Sequence, residues 1–126
     1  MNNLYLSSTS STPEVKFDFK TGILELKGTS TPEESGRFYQ PVLNWLEEYS
    51  LNPAPTTVLE FKMDYFNTSS TVFMLRLMKI IVKMTREGKK AAIRWYHDEN
   101  DEDFIEAGKD FGVLAKTDIE LVKHKE

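Results

Sequence analysis

The stretch Thr57-Val58-Leu59-Glu60-Phe61-Lys62-Met63-Asp64-Tyr65-Phe66-Asn67-Thr68-Ser69-Ser70 alternates for ten residues and then changes character. Leu59, Phe61, Met63 and Tyr65 fall on one side of a two-residue period, and Glu60, Lys62 and Asp64 on the other. That pattern predicts a strand over 57–66 with one face buried and one face wet. Asn67 to Ser70 are all helix-capping types, so a helix should start there. It should run to about Glu87, with Gly88 as its stop. A sheet covered by helices on both sides would need strands apolar on both faces, and this one is not. Helices on one side only are therefore expected.

Working outward, the flanking segments repeat the theme. Val15, Phe17 and Phe19 oppose Glu14, Lys16, Asp18 and Lys20. Thr21-Gly22 supplies a turn, and Leu24 and Leu26 oppose Glu25 and Lys27, which together read as a hairpin. Gly28 to Glu34 is turn chemistry, with Thr31 placed to cap a helix and Pro32 suited to its first turn. Phe38, Val42, Trp45, Leu46 and Tyr49 then recur at helical spacing, and Asn52-Pro53-Ala54-Pro55 ends that helix. Beyond Gly88, Ala91 to Tyr96 predicts a strand, Asp101 to Phe111 a short helix and Ile119 to Val122 a last strand. Residues 1–13 form a Ser/Thr-rich arm with room for a short strand at Leu4 to Leu6. The order is ββαβαβαβ, an α/β chain.

Bulk properties narrow the function. With 126 residues, a single domain over 1–126 is expected. At 40% apolar and 29% charged residues the composition is that of a folded domain with a core. The net charge of −4 disfavours nucleic acid as the partner. The absence of cysteine excludes disulfides, thiolate catalysis and cysteine-based zinc sites. No apolar run reaches bilayer length and the first residues resemble no export signal, so no membrane partner and a cytoplasmic location are expected.

Chemistry-bearing patterns are few. His97 and His124 lie at strand ends without a second histidine at ligand spacing, and read as surface residues. The six glycines are scattered and make no phosphate loop. A calcium loop begun at Asp98 would need glycine at its sixth position and glutamate at its twelfth, where Asp103 and Lys109 stand. The acidic run reads instead as the first turn of a helix. No metal, no cofactor and no catalytic residue is assigned, and the chain is read as a non-enzyme.

Two features remain. The hydroxyls of Thr68, Ser69 and Ser70 stand at a helix N-terminus, where backbone N–H groups and the dipole favour an anion. Local chemistry reads them first as caps. The helix that follows is apolar around much more than one stripe, which means either that other helices flank it or that it offers a patch to a partner. Its charged residues before Glu87 are Arg76, Lys79, Lys83 and Arg86, in one basic line.

Four stretches together carry a family resemblance: Ser11-Thr12-Pro13; Gly28 to Glu33; Tyr65 to Ser70; and Arg94-Trp95-Tyr96-His97-Asp98 with its acidic continuation to Phe111. They resemble the SiaC family of bacterial regulatory phosphoproteins. The resemblance implies a STAS-like two-layer domain, a mixed β-sheet with helices packed on one face. It implies Thr68 as phosphoacceptor, surrounded by Asn67, Ser69 and Ser70, with a protein kinase and a PP2C-type phosphatase acting on it. It further implies that the unphosphorylated form binds and activates a diguanylate cyclase, raising cyclic-di-GMP. Phe73, Arg76, Thr31, Pro32 and Glu33 are the candidate partner surface. Thr31-Pro32-Glu33-Glu34 departs from the family's Tyr-Pro-Glu-Asn. Two alternatives stand beside this: an anti-sigma-factor-antagonist-like partner switch, and a small enzyme using carboxylates of residues 98–106.

Overall fold

The computed structural model describes residues 1–124. Six strands and three helices occur in the order β1 (Leu4–Leu6), β2 (Glu14–Phe17), β3 (Ile23–Ser30), α1 (Ser35–Leu51), β4 (Thr57–Phe66), α2 (Thr68–Arg86), β5 (Ala91–His97), α3 (Glu102–Ala115) and β6 (Glu120–Lys123). The strands line up in chain order. β1, β2 and β3 pair antiparallel, while β3 to β6 pair parallel. Right-handed crossovers between successive parallel neighbours must all lie on the same face. The helices therefore form one layer with α2 in the middle, packed against both α1 and α3. This accounts for the apolar excess of α2, with Met74, Leu77, Met78, Ile80, Ile81, Val82 and Met84 all buried. None of the helices is long and apolar enough to cross a membrane.

The alternation delivers the core. Phe17, Leu24, Leu26, Leu59 and Phe61 are wholly buried beneath the helices, with Met63 nearly so. Trp95 anchors the far side, its indole N–H donating to the Phe104 carbonyl at 2.8 Å. Gly108 lets α3 approach that ring: a Cβ there would lie 2.6 Å from Trp95 Cδ1. Gly22, at φ +75°, turns the chain where a Cβ would meet the Thr56 carbonyl oxygen at 2.0 Å.

Several expectations need correction. β2 stops at Phe17, because Asp18 turns its carboxylate onto the N–H groups of Lys20 and Thr21. Gly28 to Ser30 are not a turn but the end of β3, paired to Met63, Tyr65 and Phe66. α1 then begins only at Ser35, with no side-chain cap from Glu34. Thr31 does not cap it, because it lies three residues ahead of the cap position at Glu34; its own N–H donates to the Ser11 carbonyl at 2.8 Å. α3 runs on to Ala115 before Lys116 ends it in the left-handed conformation. The arm's short strand exists, and the Trp45 indole N–H holds the Asn2 carbonyl at 2.7 Å.

The most consequential difference lies in β4. Gly28 pairs with Met63 and Thr29 with Tyr65, so Asp64 is an extra residue. A β-bulge of this kind inverts the faces beyond it. Tyr65, assigned by alternation to the core, is 57% exposed. Phe66 turns inward instead and packs on Trp95, Phe104 and Phe111. On the opposite sheet face, expected to be open, Glu60 is also covered: its side chain is only 8% exposed. The Tyr96 hydroxyl donates to it at 2.8 Å and Arg94 Nη1 lies at 3.5 Å. Burial and then this bond to a carboxylate hold the Tyr96 hydroxyl above the usual phenol range.

Truncating Phe61 to Ala should cost about 3–5 kcal/mol, as for other buried aromatic residues. The bulge predicts unequal neighbours: Phe66→Ala should destabilise strongly, whereas Tyr65→Ala should stay within about 0.5 kcal/mol of the parent. Urea denaturation of the three variants measures both; equal losses at positions 65 and 66 would contradict the inverted register.

Candidate functional site

Parallel pairing sets the C-terminal ends of β3 and β4 side by side, and open α/β sheets place their ligand sites at such ends. Here the two chains leave toward α1 and α2, and the Asn67 N–H donates to the Ser30 carbonyl at 3.0 Å. Asn67 caps α2. Its Oδ1 accepts from the Ser70 N–H at 3.0 Å, from the Ser70 hydroxyl at 2.7 Å and from the Ser69 hydroxyl at 3.1 Å.

The three consecutive hydroxyls thus have three environments. Ser70 is fully buried, bonded at 2.7 Å to the Ser30 hydroxyl and at 3.0 Å to its carbonyl. Ser30 is bonded in turn to the Tyr39 hydroxyl at 2.6 Å. Burial raises the Tyr39 hydroxyl's pKa against the opposing pull of these serine bonds, so the phenol stays protonated. Ser69 is exposed but tied to the Ser35 hydroxyl of α1 at 2.6 Å. Thr68, the first residue of α2, is exposed, and its hydroxyl has no hydrogen-bond partner among the described residues.

Of the sequence-named surface residues, Glu33 and Arg76 are exposed and Phe73 and Thr31 half-buried. Pro32 is buried, in the lining of a shallow hollow with Glu33, Glu34, Arg37 and Phe38. Phe73 stacks on Tyr39 with centroids 5.5 Å apart and planes 2° from parallel. Arg76 covers the Phe73 ring at 5.1 Å. An aromatic stack capped by a cation therefore links the Ser30–Ser70 network to the exposed face of α2. Sequence reasoning missed Ser30, Ser35 and Tyr39. No local signal marks them, since Ser30 meets Ser70 forty positions away.

Four of the six carboxylates of 98–106 have structural occupations. Asp101 caps α3 by accepting from the Phe104 N–H at 3.1 Å, and Glu99 pairs with Lys123 at 2.9 Å. Glu102 and Asp103 lie in the first turn of α3, where the dipole favours them. Among the described residues no group of three or more His, Cys, Asp or Glu side chains is placed to hold a metal ion.

The chain is similar to known proteins over nearly its whole length. An uncharacterized protein of Pseudomonas aeruginosa is 28% identical over 126 residues, covering the whole of both chains. Among solved structures, SiaC of Pseudomonas aeruginosa, crystallised with the diguanylate cyclase SiaD that it activates, matches with a TM-score of 0.89. The identity is 26%, over 96% of this chain and 99% of that one. The crystal structure of apo-SiaC matches at 0.84 and 24% identity, over 99% of this chain and 100% of that one, and carries the fold. The model of the SiaC family of regulatory phosphoproteins matches residues 6–124, and the chain belongs to that family.

Proposed function

We propose that this chain is a phosphorylation-switched protein whose unmodified form binds and activates a diguanylate cyclase, with Thr68 as the phosphoacceptor. The observation that carries the reading is the division among the three hydroxyls. Ser70 is enclosed and Ser69 is bound to Ser35, whereas Thr68 projects from the first turn of a nineteen-residue helix. A kinase can reach Thr68 without opening the fold. The helix N-terminus favours a phosphate there by about 0.3–2 kcal/mol, so modification leaves the domain intact and acts on whatever docks nearby.

The cyclase is favoured as target because the relative SiaC is described as the activator of SiaD in their joint structure. An anti-sigma partner switch would use the same phosphosite and is the second reading. An activator role also fits carboxylates that cap and pair rather than converge. A kinase and a PP2C-type phosphatase acting on Thr68 complete the cycle, and a cytoplasmic location belongs to the same reading.

The phosphate adds about −1.5 to −2 of charge. Buried against a partner without a matched cation it costs several kcal/mol, and about 2.7 kcal/mol already weakens binding a hundredfold. Incubating the chain with its own kinase and mapping phosphopeptides should place the phosphate on Thr68. Thr68→Ala should bind and activate the cyclase constitutively, and Thr68→Asp should release it only in part. Phosphate elsewhere, with unchanged affinity in both variants, would overturn the reading. Asn67→Ala serves as the structural control: loss of the cap should cost about 0.5–2 kcal/mol in a thermal or urea melt. Thr68→Ala should leave that melt nearly unchanged.

A further inference from the structure

Helix α2 carries no acidic residue between Thr68 and Arg86, yet holds four cations in a chain of net charge −4. At about 100° per residue, Thr68, Val72, Arg76, Lys79, Lys83 and Arg86 fall within about 80° of arc, on one stripe about 27 Å long. All six are exposed. None of the four cations lies within salt-bridge distance of a carboxylate among the described residues. Elsewhere Lys16, Arg37, Lys62, Lys89, Arg94 and Lys123 have such a partner, whereas Lys20, Lys27, Lys90, Lys109 and Lys116 stand scattered without one among the described residues. Like charges three and four residues apart destabilise a helix. Lys83 and Arg86 are offset by their place in the last turn, at the negative end of the dipole. Arg76 and Lys79 have no such offset.

Beside the stripe runs a groove of about 490 Å³ between α1 and α2. Leu43 and Ile80 contribute apolar surface to it, and Arg76, Lys79 and Lys83 line its α2 side. On the α1 side Gln40 donates to Asn44 at 2.8 Å, and Glu47 stands further along. Val72, 49% exposed, adds apolar surface near the Thr68 end of the stripe.

We infer that this face of α2 is the docking surface for an acidic amphipathic helix of the partner protein. Carboxylates spaced three and four residues apart would match Arg76, Lys79 and Lys83, with apolar side chains seated against Val72 and the groove. Charge complementarity selects this occupant: a basic or neutral segment would leave the row of cations without a partner. The inference rests on the proposed cyclase-activator role and supplies its mechanism. Thr68 heads the same stripe, so its phosphate would confront an acidic occupant with a dianion at the point of entry.

The test compares the full chain with Lys79→Glu/Lys83→Glu and with the milder Lys79→Gln/Lys83→Gln. Binding to the cyclase from the same cells is measured at about 50 mM and about 300 mM salt, where screening differs strongly. The parent should bind more weakly at high salt. The Glu pair should lose at least about tenfold in affinity at low salt, and the Gln pair should lose less, with a flatter salt dependence. Thr68 should still be phosphorylated in both, and the Gln pair should melt with the parent. Parent-like affinity in both variants, or a parent affinity indifferent to salt, would overturn the docking surface while leaving a Thr68-controlled cyclase activator standing. If the unmodified parent fails to bind the cyclase at all, that activator role falls, and a second probe decides the surface. This is a designed helix with Glu at three- and four-residue spacing and Leu between, beside its Lys-substituted counterpart. NMR shifts along Val72 to Lys83 with the acidic peptide alone would support the surface, and their absence would overturn it.

Discussion

Ser30 sits where the last residue of β3 meets the start of α2, and its bonds fix the site. Its carbonyl accepts from the Asn67 N–H and lies 3.0 Å from the Ser70 hydroxyl, whose one proton it shares with Asn67 Oδ1, and its own hydroxyl joins Ser70 to Tyr39. Each of these polar groups is buried or nearly so, where an unmade hydrogen bond is far costlier than a made one is favourable. No buried side-chain polar atom among the described residues lacks a partner. The network therefore has little freedom: the end of β4 must reach Ser30 in the correct register or several partners are lost together.

That register depends on the bulge at Asp64. Without the extra residue, Phe66 would face solvent and Tyr65 the core, because a one-residue slip moves every side chain to the other face. With it, Phe66 closes the aromatic cluster around Trp95, and Asn67 emerges in place to bond Ser30 and cap α2. Core packing and the cap of α2 are thus one constraint.

The central position of α2 follows from the same topology. Three crossovers on one face leave the middle helix flanked on two sides and backed by the sheet, so only a narrow stripe meets solvent. That stripe gathers Thr68 and the four cations, while the buried side supplies much of the core. A helix so held is a rigid platform, and charge added at its first residue alters the surface without loosening the fold beneath.

Much of this was legible in the residues themselves. Period-two alternation is local, and it located the strands and the one-sided cover; helical spacing located the three helices; Asn67-Thr68-Ser69-Ser70 announced a cap. These signals work because a side chain's direction is set by its own backbone. What the tertiary structure decided depends on partners distant in sequence. The bulge exists only against β3, so alternation misplaced Tyr65. Glu60 is covered by Arg94 and Tyr96 of the neighbouring strand, although its own pattern called for solvent. Above all, the equivalence of Thr68, Ser69 and Ser70 in the sequence was broken by Ser30 and Ser35, which come from elements more than thirty residues away and take up two of the three hydroxyls. Pattern along a chain reports which way a side chain points; only contact across the fold determines what it meets.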